Sequence, residues 1–102
     1  MIRSILVLQP EPSKVEDVLA VYREDEILQF SLDESRALAS EISVAVDGSG
    51  EVVVTALWPD ATAYQEWLDH PRRANARLVE ILRGVAVGAA RLYEVDHGVH
   101  KG

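Results

Sequence analysis

Apolar and polar positions along the chain alternate with two distinct periods, and the switches between them divide it into six elements. Ile2 to Gln9 is β-rich and stops at Pro10-Glu11-Pro12, because proline cannot donate to a strand ladder. Ser13, with Glu16 three residues later, reads as a capping box. The helix that follows sets Val15, Val18, Leu19 and Tyr22 on one stripe. Its phase slips where Glu26 occupies an apolar slot, so the helix is expected to end or bend near Ile27 to Phe30, with Ser31 to Leu38 a loop or a short helical turn. Glu41 to Asp47 alternates with period two, Asp47-Gly48-Ser49-Gly50 is a turn, and Glu51 to Trp58 is the return strand of a hairpin. Asp60 is placed to cap a second helix, on which Ala61, Tyr64, Trp67 and Leu68 share a face. His70-Pro71 interrupts that helix. A continuation is expected to restart at Pro71 and run through Ala74, Leu78, Ile81 and Leu82 to a C-cap at Gly84. Val85 to Val95 is the last strand.

The order strand, helix, strand, strand, helix, strand predicts an α+β, ferredoxin-like βαββαβ fold with an antiparallel sheet. Residues 1–96 form a single domain, and residues 97–102 are expected to be a flexible tail. The first and third strands are apolar on both faces: Leu6 and Leu8 oppose Ile5 and Val7, and Val52, Val54, Ala56 and Trp58 oppose Val53 and Leu57. Such strands are covered twice, which suits the two central strands of this topology. Helices cover one face. The other is expected to close against a second copy, giving a homodimer through sheet faces: burying several hundred Å² of apolar surface is worth on the order of 10 kcal/mol before association costs.

Composition narrows the function. Seventeen acidic against ten basic residues give a net charge of -7, which disfavours nucleic acid. Arg72, Arg73, Arg77 and Arg83 fall at helical spacing and read as a solvated helix face. The absence of cysteine removes disulfide and thiolate chemistry. No segment approaches the ~20 apolar residues that span a bilayer, and the N-terminal apolar run is too short for a secretory signal. A soluble, cytoplasmic protein without nucleic-acid or membrane partners is expected.

The chemistry concentrates between Val52 and Trp67. Both tryptophans, Trp58 and Trp67, and Tyr64, one of three tyrosines, fall within ten positions at a strand-to-helix junction. With Tyr22 they could wall an aromatic pocket between sheet and helices, or they could be core packing. His70 could be a general base, or an exposed residue capping the helix end. Arg77 could hold a phenolate or carboxylate, or form a surface salt bridge. Arg91, set among Ala89, Ala90, Leu92 and Tyr93, needs a partner: an acidic group across the subunit interface, or a ligand anion. His97-x-x-His100 lacks a further ligand, so no metal site is expected.

The segment Trp58-x-Asp60-x-x-Ala63-Tyr64-x-x-Trp67, with a strand before it and His70-Pro71 behind, resembles the antibiotic biosynthesis monooxygenase (ABM) family of dimeric α/β barrels. The resemblance spans nearly all of the chain. It implies a monooxygenase-like activity on a small aromatic, phenolic or quinol-type molecule with no cofactor, because the electron-rich substrate anion itself reduces oxygen. Taken with the residues weighed above, the catalytic candidates are Trp67 and His70, and the substrate-binding candidates are Tyr22, Trp58, Tyr64, Arg77 and Arg91. The haem-degrading branch of the family pairs a tryptophan here with an axial histidine and an asparagine in the first strand. Trp67 matches, but Arg77 stands in the place of the histidine and Val7 in the place of the asparagine, which argues against haem. A non-catalytic, small-molecule-binding or structural dimer of the same fold is the alternative.

Overall fold

In a computed structural model, which describes residues 1–83, 85 and 90–101, the chain forms four strands and four α-helices. They are β1 (Ile2–Leu8), α1 (Val15–Glu24), α2 (Ile27–Glu34), β2 (Ala39–Val44), β3 (Val52–Trp58), α3 (Ala61–Leu68), α4 (Ala76–Ile81) and β4 (Arg91–Glu94). The sheet order is β2-β3-β1-β4, antiparallel throughout, with β1 and β3 central. This is the ferredoxin-like α+β arrangement that the alternation of strands and helices predicts.

The register sorts the strands into two faces, since successive side chains point to opposite sides. Ser4 pairs with Ala56, Leu6 with Val54 and Leu8 with Val52, and all six face the helices. Leu8, Val18, Tyr22 and Val52 form one buried cluster; Ala56, Trp58 and Ala63 form a second beneath α3. The opposite face carries Ile5, Val7, Val53 and Leu57, bordered by Arg3, Thr55, Arg91 and Tyr93. No helix among the described residues covers it: Val7 is 44% exposed and Tyr93 42%.

Several local expectations change. The Ser13–Glu16 capping box does not form. Pro12 instead opens a 3-10 turn over Pro12–Lys14, whose Lys14 N–H donates to the Glu11 carbonyl at 2.8 Å. Glu16 is thereby released to pair with Arg23 at 2.5 Å. The break between the first two helices falls at Asp25-Glu26, earlier than the apolar phase suggested, and Ser31 lies within α2. Glu26 adopts a left-handed conformation (φ 49°), which turns the chain and resets the phase so that Ile27 and Leu28 reach the core. The helix after Pro71 starts only at Ala76, because Asn75 caps it by accepting from the Leu78 N–H at 3.0 Å. Residues 71–75 are therefore a loop, and Arg72 and Arg73 do not ride on a helix. Asp60 caps α3 as expected, accepting from Ala63 N–H at 2.8 Å. The hairpin turn is built on Gly48 (φ 77°) and Gly50 (φ 85°), with the Asp47 carboxylate accepting from Ser49 N–H at 2.9 Å. Val46, expected to continue the apolar face of β2, lies in that turn and is fully exposed. Gly84 and the start of the expected last strand, residues 86–89, lie outside the described residues; β4 itself covers Arg91–Glu94.

Candidate functional site

Between the helix layer and the covered face of the sheet lies a cavity of about 930 Å³. Its floor is Ser4, Leu6, Leu8, Val54, Ala56 and Trp58. Tyr22 from α1, Leu28 and Ser31 from α2, Tyr64 and Trp67 from α3, and Leu78 from α4 wall it. Its size suits a ligand of two to four fused rings, and its lining is mostly hydrocarbon with few polar atoms, the usual make-up of a small-molecule site.

Local sequence fixes each aromatic. Trp58 ends β3 on the inward phase and is 2% exposed. Its indole N–H donates to Ser4 Oγ across the sheet at 2.9 Å, and the Ser4 hydroxyl proton has no acceptor among the described residues. Asp60 starts α3 two residues later, which places Tyr64 one turn in, edge-on to Trp58 with ring centroids 5.4 Å apart. Trp67 follows at i+3 and packs edge-on against Phe30 of α2 at 6.0 Å. The His70 ring lies 5.5 Å from Trp67 and 6.0 Å from Phe30, and Arg72 extends over the Phe30 ring at 5.4 Å.

Of the residues singled out from the sequence, Tyr22, Trp58, Tyr64 and Trp67 meet on this one cavity. His70, Arg77 and Arg91 do not line it. His70 is half-buried behind Trp67 rather than exposed. Its Nδ1 accepts from the Arg72 N–H at 3.0 Å, and its Nε2 faces Glu34 Oε2 at 3.9 Å. The Nδ1 lone pair is thus engaged within the loop, away from the cavity lining. Arg77 forks between Glu24 and Asp25, both at 2.8 Å, and ties α4 to the α1–α2 turn. Asp25 also accepts from Asn75 at 3.0 Å, and that hydrogen bond, with the Arg77 guanidinium, holds its carboxyl below the ordinary value. Arg91 pairs with Ile5 in the register and so lies on the opposite face of the sheet, its guanidinium 5.5 Å from the Tyr93 ring centroid. Among the described residues no group of three potential ligands could hold a metal ion, and no helix is long and apolar enough to cross a membrane.

Burial pushes the phenols of Tyr22 and Tyr64 above the ordinary value, and in each the charge of Arg73 partly opposes the rise. Both hydroxyls therefore stay protonated near neutral pH and can donate a hydrogen bond.

Three contributors escaped the sequence. Ser4 is one small polar residue in an apolar strand, and its inward phase relative to Leu6 and Leu8 was the available signal. Phe30 sat in a stretch whose helical phase was ambiguous. Arg73 read as part of a helical arginine face, and only the Asn75 cap, which keeps residues 71–75 off the helix, brings it to the cavity.

A ferredoxin-like domain with an aromatic cavity between sheet and helices defines the class, and solved structures narrow it. The chain superimposes on a candidate antibiotic biosynthesis monooxygenase from Deinococcus radiodurans with a TM-score of 0.72, at 17% identity over 100% of this chain and 99% of that one. A candidate monooxygenase of the same kind from Nitrosomonas europaea gives 0.74, at 12% identity over 95% of this chain and 100% of that one. A variant of SnoaB, a cofactor-independent oxygenase from Streptomyces nogalater, gives 0.70, at 16% identity over 98% and 97% of the two chains. No protein-family model and no curated protein matches the chain. At these identities the likeness establishes the fold, that of the antibiotic biosynthesis monooxygenases.

Proposed function

We propose that the cavity binds a small aromatic, phenolic or quinol-type molecule and that the protein acts on it as a cofactor-independent monooxygenase. The observation that carries this reading is the cavity of about 930 Å³ walled by Tyr22, Trp58, Tyr64 and Trp67. The fold shared with SnoaB supports it. In such a reaction an anthrone-type carbanion gives an electron to oxygen; one oxygen atom becomes the ring ketone, and the other leaves as water with the two ring hydrogens. The protein's share is to desolvate and orient the substrate anion. Trp67 stacks against the rings above the buried Trp58, while Tyr64 and Ser4 donate hydrogen bonds to the substrate oxygen. His70, its Nδ1 occupied, supports Trp67 from behind rather than taking the proton. Arg77 acts at a distance, by fixing the α4 wall. The working unit is a homodimer in which Ile5, Val7, Val53 and Leu57 of each open sheet face pack together, with Arg91 at the edge of that interface. The site thus stabilises a substrate anion that ionises unaided, and turnover should rise with pH up to the substrate's own pKa.

One observation favours binding without turnover in the same cavity: no side chain lining it is an ionised base among the described residues. Oxygen uptake with anthrone and with a naphthalene hydroquinone separates the two. Uptake above the spontaneous rate, reduced at least about tenfold in Trp67→Ala, supports the oxygenase. A rate equal to the protein-free control leaves a binding protein.

A further inference from the structure

The arginines around the cavity differ in one respect. Arg72 pairs with Glu34, Arg77 with Glu24 and Asp25, and Arg83 with Glu80 at 2.7 Å. Arg73 takes part in no ion pair among the described residues, yet it lines the cavity. It stands in the exposed loop between α3 and α4, beside Ala74 and Asn75, which also line the cavity. Its charge is felt by the phenols of both Tyr22 and Tyr64, which come from different helices. Arg73 thus sets an unpaired positive charge at the exposed edge of a largely apolar chamber, in a chain of net charge -7.

We propose that Arg73 recognises a carboxylate on the ligand, so that the cavity selects aromatic acids: a fused-ring body against Trp58, Tyr64 and Trp67, and one monoanionic carboxylate at the loop side, held by the guanidinium. This rests on the aromatic-ligand reading of the cavity and adds the class of ligand. A single guanidinium matches one carboxylate with two parallel hydrogen bonds. A phosphate ester, carrying close to two charges, would call for a second unpaired cation, and Arg83, the other arginine of the lining, is already engaged by Glu80. The surrounding negative charge further disfavours polyanions.

The test uses two fluorescence-quenching probes of the same shape, anthracenecarboxylate and its uncharged carbinol hydroxymethylanthracene, titrated against the full chain at fixed ionic strength. The wild type should bind the carboxylate about tenfold or more tighter than the carbinol, the difference one charge-assisted contact makes. Arg73→Gln should bring that ratio close to one, whereas Arg72→Gln, which removes the same charge one residue away, should keep it. Equal affinity for the two probes in the wild type, or an equal fall of the ratio in both variants, overturns the carboxylate assignment while the aromatic cavity stands. No binding of either probe overturns both the cavity's aromatic reading and this inference.

Discussion

The hydrogen bond from Trp58 to Ser4 joins the two central strands at the floor of the cavity, and its worth can be worked from its burial. Trp58 is 2% exposed and Ser4 6%, so neither group has bulk water as an alternative partner. A hydrogen bond of this kind contributes about 1 kcal/mol net, whereas orphaning one buried partner costs about 1–3 kcal/mol. Ser4→Ala orphans the indole N–H, and water admitted through the adjoining cavity can relieve part of that loss. The expected destabilisation is therefore about 1–2 kcal/mol, or roughly 4–16 °C in Tm for a domain of this length. Trp58→Phe removes the donor and also the outer part of a buried ring, so it should cost more, about 2–4 kcal/mol by comparison with other large-to-small core changes. In the double variant neither group is left needing the other. The two single costs should then exceed the double cost by about 1 kcal/mol, a coupling typical of directly bonded neighbours. Urea unfolding of all four proteins, followed by far-ultraviolet circular dichroism at one protein concentration, measures this. Additivity within about 0.3 kcal/mol would refute the claim that this bond organises the floor.

Three further outcomes follow from the same geometry. Asn75→Ala loses both the α4 cap and the bond to Asp25, and should cost about 1 kcal/mol on thermal unfolding; a change near zero would mean the loop holds its place without the cap. Burial raises the Tyr22 and Tyr64 phenols, with Arg73 partly opposing, so above the ordinary phenol value of 10.0 the unfolded chain loses its protons first. Stability is then fully retained below that pH and lost as pH rises toward the folded values, and ultraviolet phenolate titration of folded against urea-unfolded protein should show the lag. Val53→Glu, on the open sheet face between Val7 and Ser43 with no cation opposite it, should halve the mass seen by sedimentation equilibrium, since a buried unpaired charge costs more than the apolar contact it replaces; an unchanged mass would remove that face from the interface.

What could be read from the chain divides along a physical line. Period-two patterns with a marked apolar phase identify strands and sort their faces, so Leu6 and Leu8 in one strand, and Val52 and Val54 in another, could be grouped from sequence, while the register that pairs them came from the structure. Asp60 and the Asp47-Gly48-Ser49-Gly50 turn were legible because their chemistry is local: a carboxylate meets an N–H two or three residues away. The segments around Pro12, Glu26 and residues 71–75 were not, because each had two competing local solutions and tertiary packing chose between them. Pro12 could begin a turn or precede a cap; Glu26 could break a helix or be carried within one; Pro71 could start a helix or stand in a loop ended by Asn75. The candidate site inherits this division. Trp58, Tyr64 and Trp67 follow from a strand end and a capped helix, so sequence placed them together. Arg73 depends on where a helix does not begin, which local periodicity does not mark; Ser4 shows its phase in the strand, but its partner fifty-four residues away does not show in sequence.

The central claim is that the space between sheet and helices receives an aromatic molecule. The most direct measurement is a titration of the full chain with anthrone under nitrogen, where no turnover can intervene, following Trp58 and Trp67 fluorescence. The account predicts saturable quenching that ends at one ligand per subunit and weakens at least about tenfold in Trp67→Ala, as expected for the loss of a stacking wall. Fluorescence that changes only in proportion to added ligand, without saturation, would contradict it and return the four aromatics to the role of packing.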